Sequence, residues 1–267
     1  MDSKYLAFDI EIAKALPEGE TDWNEHRPLG ITCAAAISDD QTFLWHANDQ
    51  GEFRPQMAPH QVRRMLGRLM ALVEGGYTIL TWNGLGFDFD VLAEESQMFD
   101  KCRELALNHV DMMFHFFCEK GYPVGLDAAA KGMGLPGKPK GMDGAQAPAL
   151  WEQGEYHKVL HYVSQDVKNT LDLALAVEKA GQLNWTARSG RPNSWACSEW
   201  ITVKEAMGLP EPDTSWMTDP WPRSKFYDWL TTEKKTPSLF DLDAPLELKT
   251  PAAHGEHDAV IVRKTNK

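Results

Sequence analysis

The sequence has few cysteines: Cys33, Cys102, Cys118 and Cys197 are widely separated, and no two form a CxxC pair. That excludes a disulfide-framed scaffold and a thiolate zinc knuckle, and suits reduced core thiols in a cytoplasmic protein. Basic residues are scarce too, with 27 Lys and Arg against 39 Asp and Glu and a formal net charge of -12. A surface coated in positive charge for gripping nucleic acid or anionic membrane is therefore excluded. A local basic groove is not, because carboxylates can cluster at a metal site elsewhere on the same chain. No apolar run approaches membrane-spanning length, and "MDSKYLAFD" lacks the charged-then-apolar order of a secretion signal. No internal repeat is visible.

What is present is an ordinary globular composition, 43% hydrophobic and 25% charged, over 267 residues, which is enough chain to bury a sizeable core. "YLAFDIEI" reads as a buried strand, and "GITCAAAIS" with "TFLWHA" as a hairpin. Residues 59 to 75 place Val62, Met65, Leu66, Leu69, Met70 and Val73 at helical spacing. "GYTILTWNG" is a second buried strand running into a helix near Phe87, and "LNHVD" is strand-like before the helical "MMFHFFCEKG". A short helix is expected at "GLDAAAKGMGL". The longest helical pattern runs from Glu155 to Ala180, with Val159, Tyr162, Val163, Val167, Thr170, Leu171 and Ala174 on one side. Strands first in a hairpin, then alternating with helices, predict an α/β fold with helices packed on a mixed sheet. After Gly181 the composition turns Trp-, Pro- and turn-rich, and from "TTEKKTPSLF" onward it reads as a polar tail. The expected division is a domain over 1–185 and a partly irregular C-terminal extension over 186–267.

Three places carry carboxylates where hydrophobic packing gives no reason for them. Asp9 and Glu11 are two apart on a strand and share one face, while Phe8, Ile10 and Ile12 occupy the other. Burying such a pair uncompensated costs several kcal/mol or forces protonation, and a hard divalent cation relieves both penalties. The pair alone suits two exposed residues at a strand end equally well. In "TWNGLGFDFDVL" a buried strand turns into a helix through Asn83, Gly84 and Gly86, placing Asp88 and Asp90 where open α/β sheets bind ligands. Either carboxylate also suits a helix N-terminus electrostatically. In "HYVSQDVKNTLDL" Tyr162 and Asp166 are four apart and stack on one helix face. Asp has no propensity reason to lie on the apolar side of a helix.

In order and local form, "FDIE", "N-x-x-x-F-D" and "Y-x-x-x-D" resemble the three motifs of the DEDD exonucleases. The tyrosine form of the last motif is similar to the DEDDy branch. The wording "WNGLGFD" is similar to the proofreading domains of family-B DNA polymerases. The resemblance covers residues 5 to about 175 and implies a ribonuclease H-like fold, a mixed five-stranded sheet flanked by helices. It implies that Asp9, Glu11, Asp88 and Asp166 hold two divalent metal ions, Mg2+ or Mn2+, and that Tyr162 orients the attacking water. Asp88 is taken over Asp90 because its offset from Asn83 fits the pattern, although "FDFD" permits a slipped register. Asp90 also stands where the family often has Pro.

The implied activity is metal-dependent 3′–5′ exonuclease hydrolysis of single-stranded DNA, releasing nucleoside 5′-monophosphates. A 3′–5′ RNA exonuclease is the alternative, and a catalytically silent nucleic-acid-binding or scaffold module a third reading. No polymerase fits in the remaining chain, so the expected partners are a nucleic-acid 3′ end and a DNA repair or replication protein, with no membrane. Candidate substrate contacts are Asn83, Phe87, Trp82, Lys138, Lys140, Arg188 and Arg191. Trp82 and Phe89 either wedge against a terminal base or pack in the core. Arg188 and Arg191, beside Trp185 and Trp195, suit a single strand or a solvent loop over core tryptophans. His157 and His161 have zinc-like helical spacing, but no third ligand accompanies them.

Overall fold

A computed structural model of the chain describes residues 4–17, 19, 22–137, 144–187, 189–231 and 262–263. In chain order the elements are β1 (Tyr5–Ile12), β2 (Ile31–Ile37), β3 (Gln41–His46), the two-residue strands β4 (Asn48–Asp49) and β5 (Glu52–Phe53), α1 (Pro59–Glu74) and β6 (Thr78–Thr81). Next come α2 (Asp88–Ser96), α3 (Phe99–Asn108), β7 (Val110–Asp111), α4 (Met112–Lys120), α5 (Leu126–Gly132), α6 (Ala147–Glu152) and α7 (Tyr156–Ala180). The chain continues through β8 (Gln182–Thr186), β9 (Pro192–Ala196), α8 (Val203–Ala206), α9 (Asp228–Thr231) and β10 (Val262–Arg263).

Five strands form the mixed sheet in the order β3-β2-β1-β6-β7, and β10 pairs with the outer edge of β3. β2 runs antiparallel to β1 and β3, whereas β1, β6 and β7 are parallel. A central strand covered on both faces should read as a continuous apolar run, and β1 does so except at Asp9 and Glu11. Directly opposite residues of an antiparallel pair share a face, so Ala35 lies beside Asp9 and Cys33 beside Glu11. These short side chains let α7 pack close over that face of β1 and β2. On the opposite face Phe8 meets Phe89 of α2, with ring centroids 6.2 Å apart.

The α1 stripe differs slightly from its sequence reading. Leu72 is buried, while Met70 and Val73 are only half-buried at its margin. The helix after Asn83 divides in two, because Gln97 takes a left-handed conformation at φ 59° and ends α2. α3 then extends through Asn108, so only Val110 and Asp111 of the strand-like "LNHVD" are in a strand. All four cysteines are buried and free. The β8–β9 hairpin straddles residue 185, the expected domain boundary, and the stretch up to Thr231 lies against the same core. The approach of α5 to β8 is close, since a Cβ on Gly132 would stand 2.0 Å from the Asn184 carbonyl oxygen.

His109 is enclosed behind the sheet, between the Thr81 hydroxyl (3.0 Å from Nε2) and the Ala106 carbonyl (2.7 Å from Nδ1), with Phe89 against its ring. Burial pushes its pKa down to about 3. The unfolded chain, near 6.5, therefore takes a proton first as pH falls. The His109 contribution to stability is complete above pH 6.5 and is lost between there and about pH 3, at up to ~1.4 kcal/mol per pH unit. Asp88, raised above the usual carboxylate range, acts with the opposite sign. The expected result is therefore a difference: urea titrations of His109→Gln between pH 6.5 and 4.5 should show a shallower acid loss than wild type. Parallel slopes would contradict it.

Candidate active site

The site arises where β1 and β6 part. Their parallel pairing covers only Tyr5–Ala7 against Thr78–Leu80, and beyond Ala7 the strands separate. The backbone N–H of Ile10, released from that pairing, donates to Asp88 Oδ1 at 3.1 Å. This gap, beside the strand at which the chain switches sides of the sheet, is where open α/β folds leave room for ligands.

Asp88 reaches the gap because the loop after β6 is tightly specified. Asn83 has φ 76°, in the left-handed region. A Cβ on Gly84 would lie 2.5 Å from Thr81 Oγ1, so only glycine fits there. Asp111 pins the loop from below: its Oδ1 accepts from the Asn83 N–H at 2.9 Å, and its Oδ2 from the Leu85 N–H at 2.9 Å. Oδ1 also caps α4 through the Phe114 N–H at 3.0 Å. In sequence Asp111 is the last residue of the strand-like "LNHVD". Its position directly before an apolar helix is the N-cap signal that would have singled it out.

Asp88 and Asp90 take different surroundings. Asp88 is buried, hydrogen-bonds with Asp9, and has its pKa pushed up to about 7, first by burial and further by the nearby Asp111 charge. Asp90 is half-buried in an ion pair with Arg27, which also binds Glu94 at 2.6 Å. From the other side α7 brings Tyr162 and Asp166, both buried. Burial, followed by the negative fields of Asp166, Glu11 and Asp9, raises the Tyr162 phenol above its usual pKa. Tyr162 is thus a hydroxyl at any working pH. Glu11 is buried and Asp9 half-buried on the β1 face turned to α7.

Asp9, Glu11, Tyr162 and Asp166 therefore form one electrostatic group, and Asp88 joins it through Asp9. Among the described residues no group of three or more His, Cys, Asp or Glu side chains forms a ready-made cation site. The donor set still fits a hard divalent ion: its ligating atoms are carboxylate oxygens, and the close Asp9–Asp88 contact is accommodated by a proton where a cation would relieve the charge. Gly144, which no sequence motif marks, sits beside the group. A Cβ there would be 3.9 Å from Glu11 Oε2 and 4.0 Å from the Tyr162 hydroxyl.

The expected substrate contacts fare unevenly. Asn83 lines a cleft of about 1040 Å³ beside the Asp88 loop. Phe87 is half-buried against Trp23, with centroids 5.2 Å apart. The Trp82 ring is half-buried and its indole N–H donates to the Val124 carbonyl at 3.1 Å, whereas Phe89 is wholly buried, so for Phe89 the wedge reading gives way to packing. Trp185 and Trp195 are also buried, around Phe116, and offer no open ring face to a base. Arg191 is exposed in the turn of the β8–β9 hairpin. Lys138, Lys140 and Arg188 lie outside the described residues. His157 is exposed and packs on Phe53.

A family model of the RNase H superfamily matches residues 42–177. The chain belongs to the RNase H superfamily. The order of the five strands β3-β2-β1-β6-β7, in which β2 alone runs against the others, agrees with that assignment. The matched span contains Asp88, Tyr162 and Asp166 but begins after β1, so Asp9 and Glu11 join the superfamily core through the sheet. No curated protein matches this chain. Membership in the superfamily points to a nuclease that processes nucleic acid. No helix among the described residues is long and apolar enough to cross a membrane.

Proposed function

We infer that this RNase H superfamily chain is a metal-dependent 3′–5′ exonuclease of the DEDDy type acting on single-stranded DNA. The observation that carries this reading is the convergence of Asp9, Glu11 and Asp166 on the Tyr162 hydroxyl, with Asp88 joined through Asp9. Asp9, Glu11, Asp88 and Asp166 would hold Mg2+ or Mn2+. Bound there, such ions compensate carboxylate and phosphate charge and acidify water.

The remaining roles belong to the chain. Tyr162, held protonated by burial and neighbouring carboxylates, donates a hydrogen bond and orients the attacking water; it does not serve as the base. The Asp88 carboxyl, poised near neutrality, gives up its proton when the site is loaded. Asp111 fixes the backbone that aims Asp88. DNA is taken before RNA because the "WNGLGFD" wording is similar to polymerase proofreading domains. The buried, free cysteines are compatible with a cytoplasmic setting.

The test is digestion of matched 5′-labelled DNA and RNA strands with Mg2+ or Mn2+, beside Asp166→Ala. The expected result is a ladder shortening from the 3′ end and its loss in the variant. Internal cuts would replace this reading with an endonuclease, and unchanged ladders in Asp166→Ala would remove the site assignment.

A further inference from the structure

The cleft next to the Asp88 loop has one wall that does not come from the sheet or its flanking helices. Residues 221–229, far along the C-terminal extension, fold back across the motif loop. Trp229 donates its indole N–H to the Leu85 carbonyl at 2.7 Å. Phe226 lies so near Gly86 that a Cβ there would stand 3.0 Å from its ring. Arg223 holds the segment down from beneath. It is buried and donates to the carbonyls of Leu209 (2.6 Å), Cys118 (2.7 Å) and Pro210 (2.5 Å).

Two tryptophans line this cleft, each with a cation over its ring. On the wall formed by the Trp23–His26 turn, the Arg27 guanidinium lies 4.5 Å from the Trp23 ring centroid. On the extension, Lys225 Nζ stands 3.6 Å over the Trp221 ring. Trp221 is 45% exposed although it lines a cavity of about 1040 Å³, so its burial in the core is not what keeps it there. That volume is at the upper end of the ~300–1,000 Å³ that small-molecule pockets span. The floor is Asn83 and Gly86, from the loop that delivers Asp88.

The charge of the walls selects among occupants. Asp22, Asp90 and Asp228 line the cleft with Arg27 and Lys225, and Arg27 is already shared with Asp90 and Glu94. A polyphosphate meets net negative charge there. A nucleobase does not: its face stacks on indole and guanidinium, and its amino and imino groups donate to carboxylates and the Asn83 amide.

We propose that this cleft, walled by Trp23 and by Trp221 of the C-terminal extension, is a nucleobase-binding site for the single strand whose phosphodiester the neighbouring carboxylates address. The proposal rests on the exonuclease reading for its substrate class, and it makes the extension part of substrate recognition. Base stacking of this kind contributes about a tenfold or greater effect on affinity per ring removed.

The test uses the full chain in EDTA with a 5′-labelled single-stranded oligonucleotide, read by fluorescence anisotropy. Trp221→Ala should weaken binding about tenfold, and Trp221→Phe should restore most of it. In digestion assays Trp221→Ala should raise KM with little change in kcat. Equal affinity of Trp221→Ala and wild type, or no oligonucleotide binding by any of them, overturns the proposal. Loss of binding in Trp221→Ala when wild type releases no mononucleotide supports the cleft and defeats the exonuclease reading instead.

Discussion

Asp88→Asn is expected to lower mononucleotide release about a thousandfold while leaving the cation-free protein as stable as wild type or more so. The first effect follows from removing one of the anionic oxygens that hold the cations, since charge stabilisation of this kind amounts to several kcal/mol of barrier. The second follows from the folded-state pKa of about 7, against 3.8 for a free carboxyl. Between those values the folded protein keeps a proton that the unfolded chain gives up. Ionisation therefore works against the fold as pH rises, and the penalty builds from about pH 4 to pH 7 and stays constant above. Asparagine has no such ionisation, and its carbonyl oxygen can still accept the Ile10 N–H bonded in wild type. Melting in EDTA at pH 8 should show Asp88→Asn at or above wild type. Added Mg2+ should raise the wild-type midpoint, more at pH 8 than at pH 6, and leave the variant unmoved. A variant that digests DNA normally, or melts well below wild type at pH 8, would contradict this account.

Asp111→Ala should have the larger structural cost. The carboxylate is buried and accepts from three backbone N–H groups, on the motif loop and at the start of α4. Alanine leaves all three without that acceptor, for a loss of about 3–5 kcal/mol and a fall in melting temperature of ~10 °C. Because Asn83 and Leu85 set the path to Asp88, release should also drop at temperatures where the variant remains folded. Asp111→Asn keeps one oxygen but turns an N–H toward a donor, so it should recover only part of the stability. Chemical denaturation beside single-turnover digestion separates the two losses. A variant with wild-type stability would show that the loop holds itself.

These two residues illustrate how unevenly the chain is legible. Asp9 and Glu11 stand out in sequence because period-two alternation puts both on one face of an otherwise apolar strand. Tyr162 and Asp166 stand out because a four-residue offset places them together on the apolar side of a helix. Asp111 has no periodic signal, and its place before an apolar helix marks an N-cap but not an acceptor for the motif loop. Its partners are backbone amides, which any residue carries, and it meets them only after α2 and α3 have returned the chain to the sheet edge. Gly144 is similar: a glycine after a Gly/Lys-rich stretch says nothing of the Glu11 and Tyr162 oxygens beside it. The aromatic residues misled in the other direction. Phe89, Trp185 and Trp195 are rings near motifs or arginines in sequence, but core rings in space, while Trp82 is only partly buried at the core margin.

By itself the sequence determined the mixed α/β architecture, the central strand and its carboxylate pair, and the long helix with its Tyr-Asp turn. Those follow from local periodicity, which fixes the face of an element on which a side chain lies. Only the tertiary structure decided which carboxylate of "FDFD" enters the gap between β1 and β6 and which pairs with Arg27. Only the tertiary structure brought residues 221–229 back over the motif loop. Both depend on contacts between segments tens to more than a hundred residues apart, and no periodicity within either segment records what it will meet.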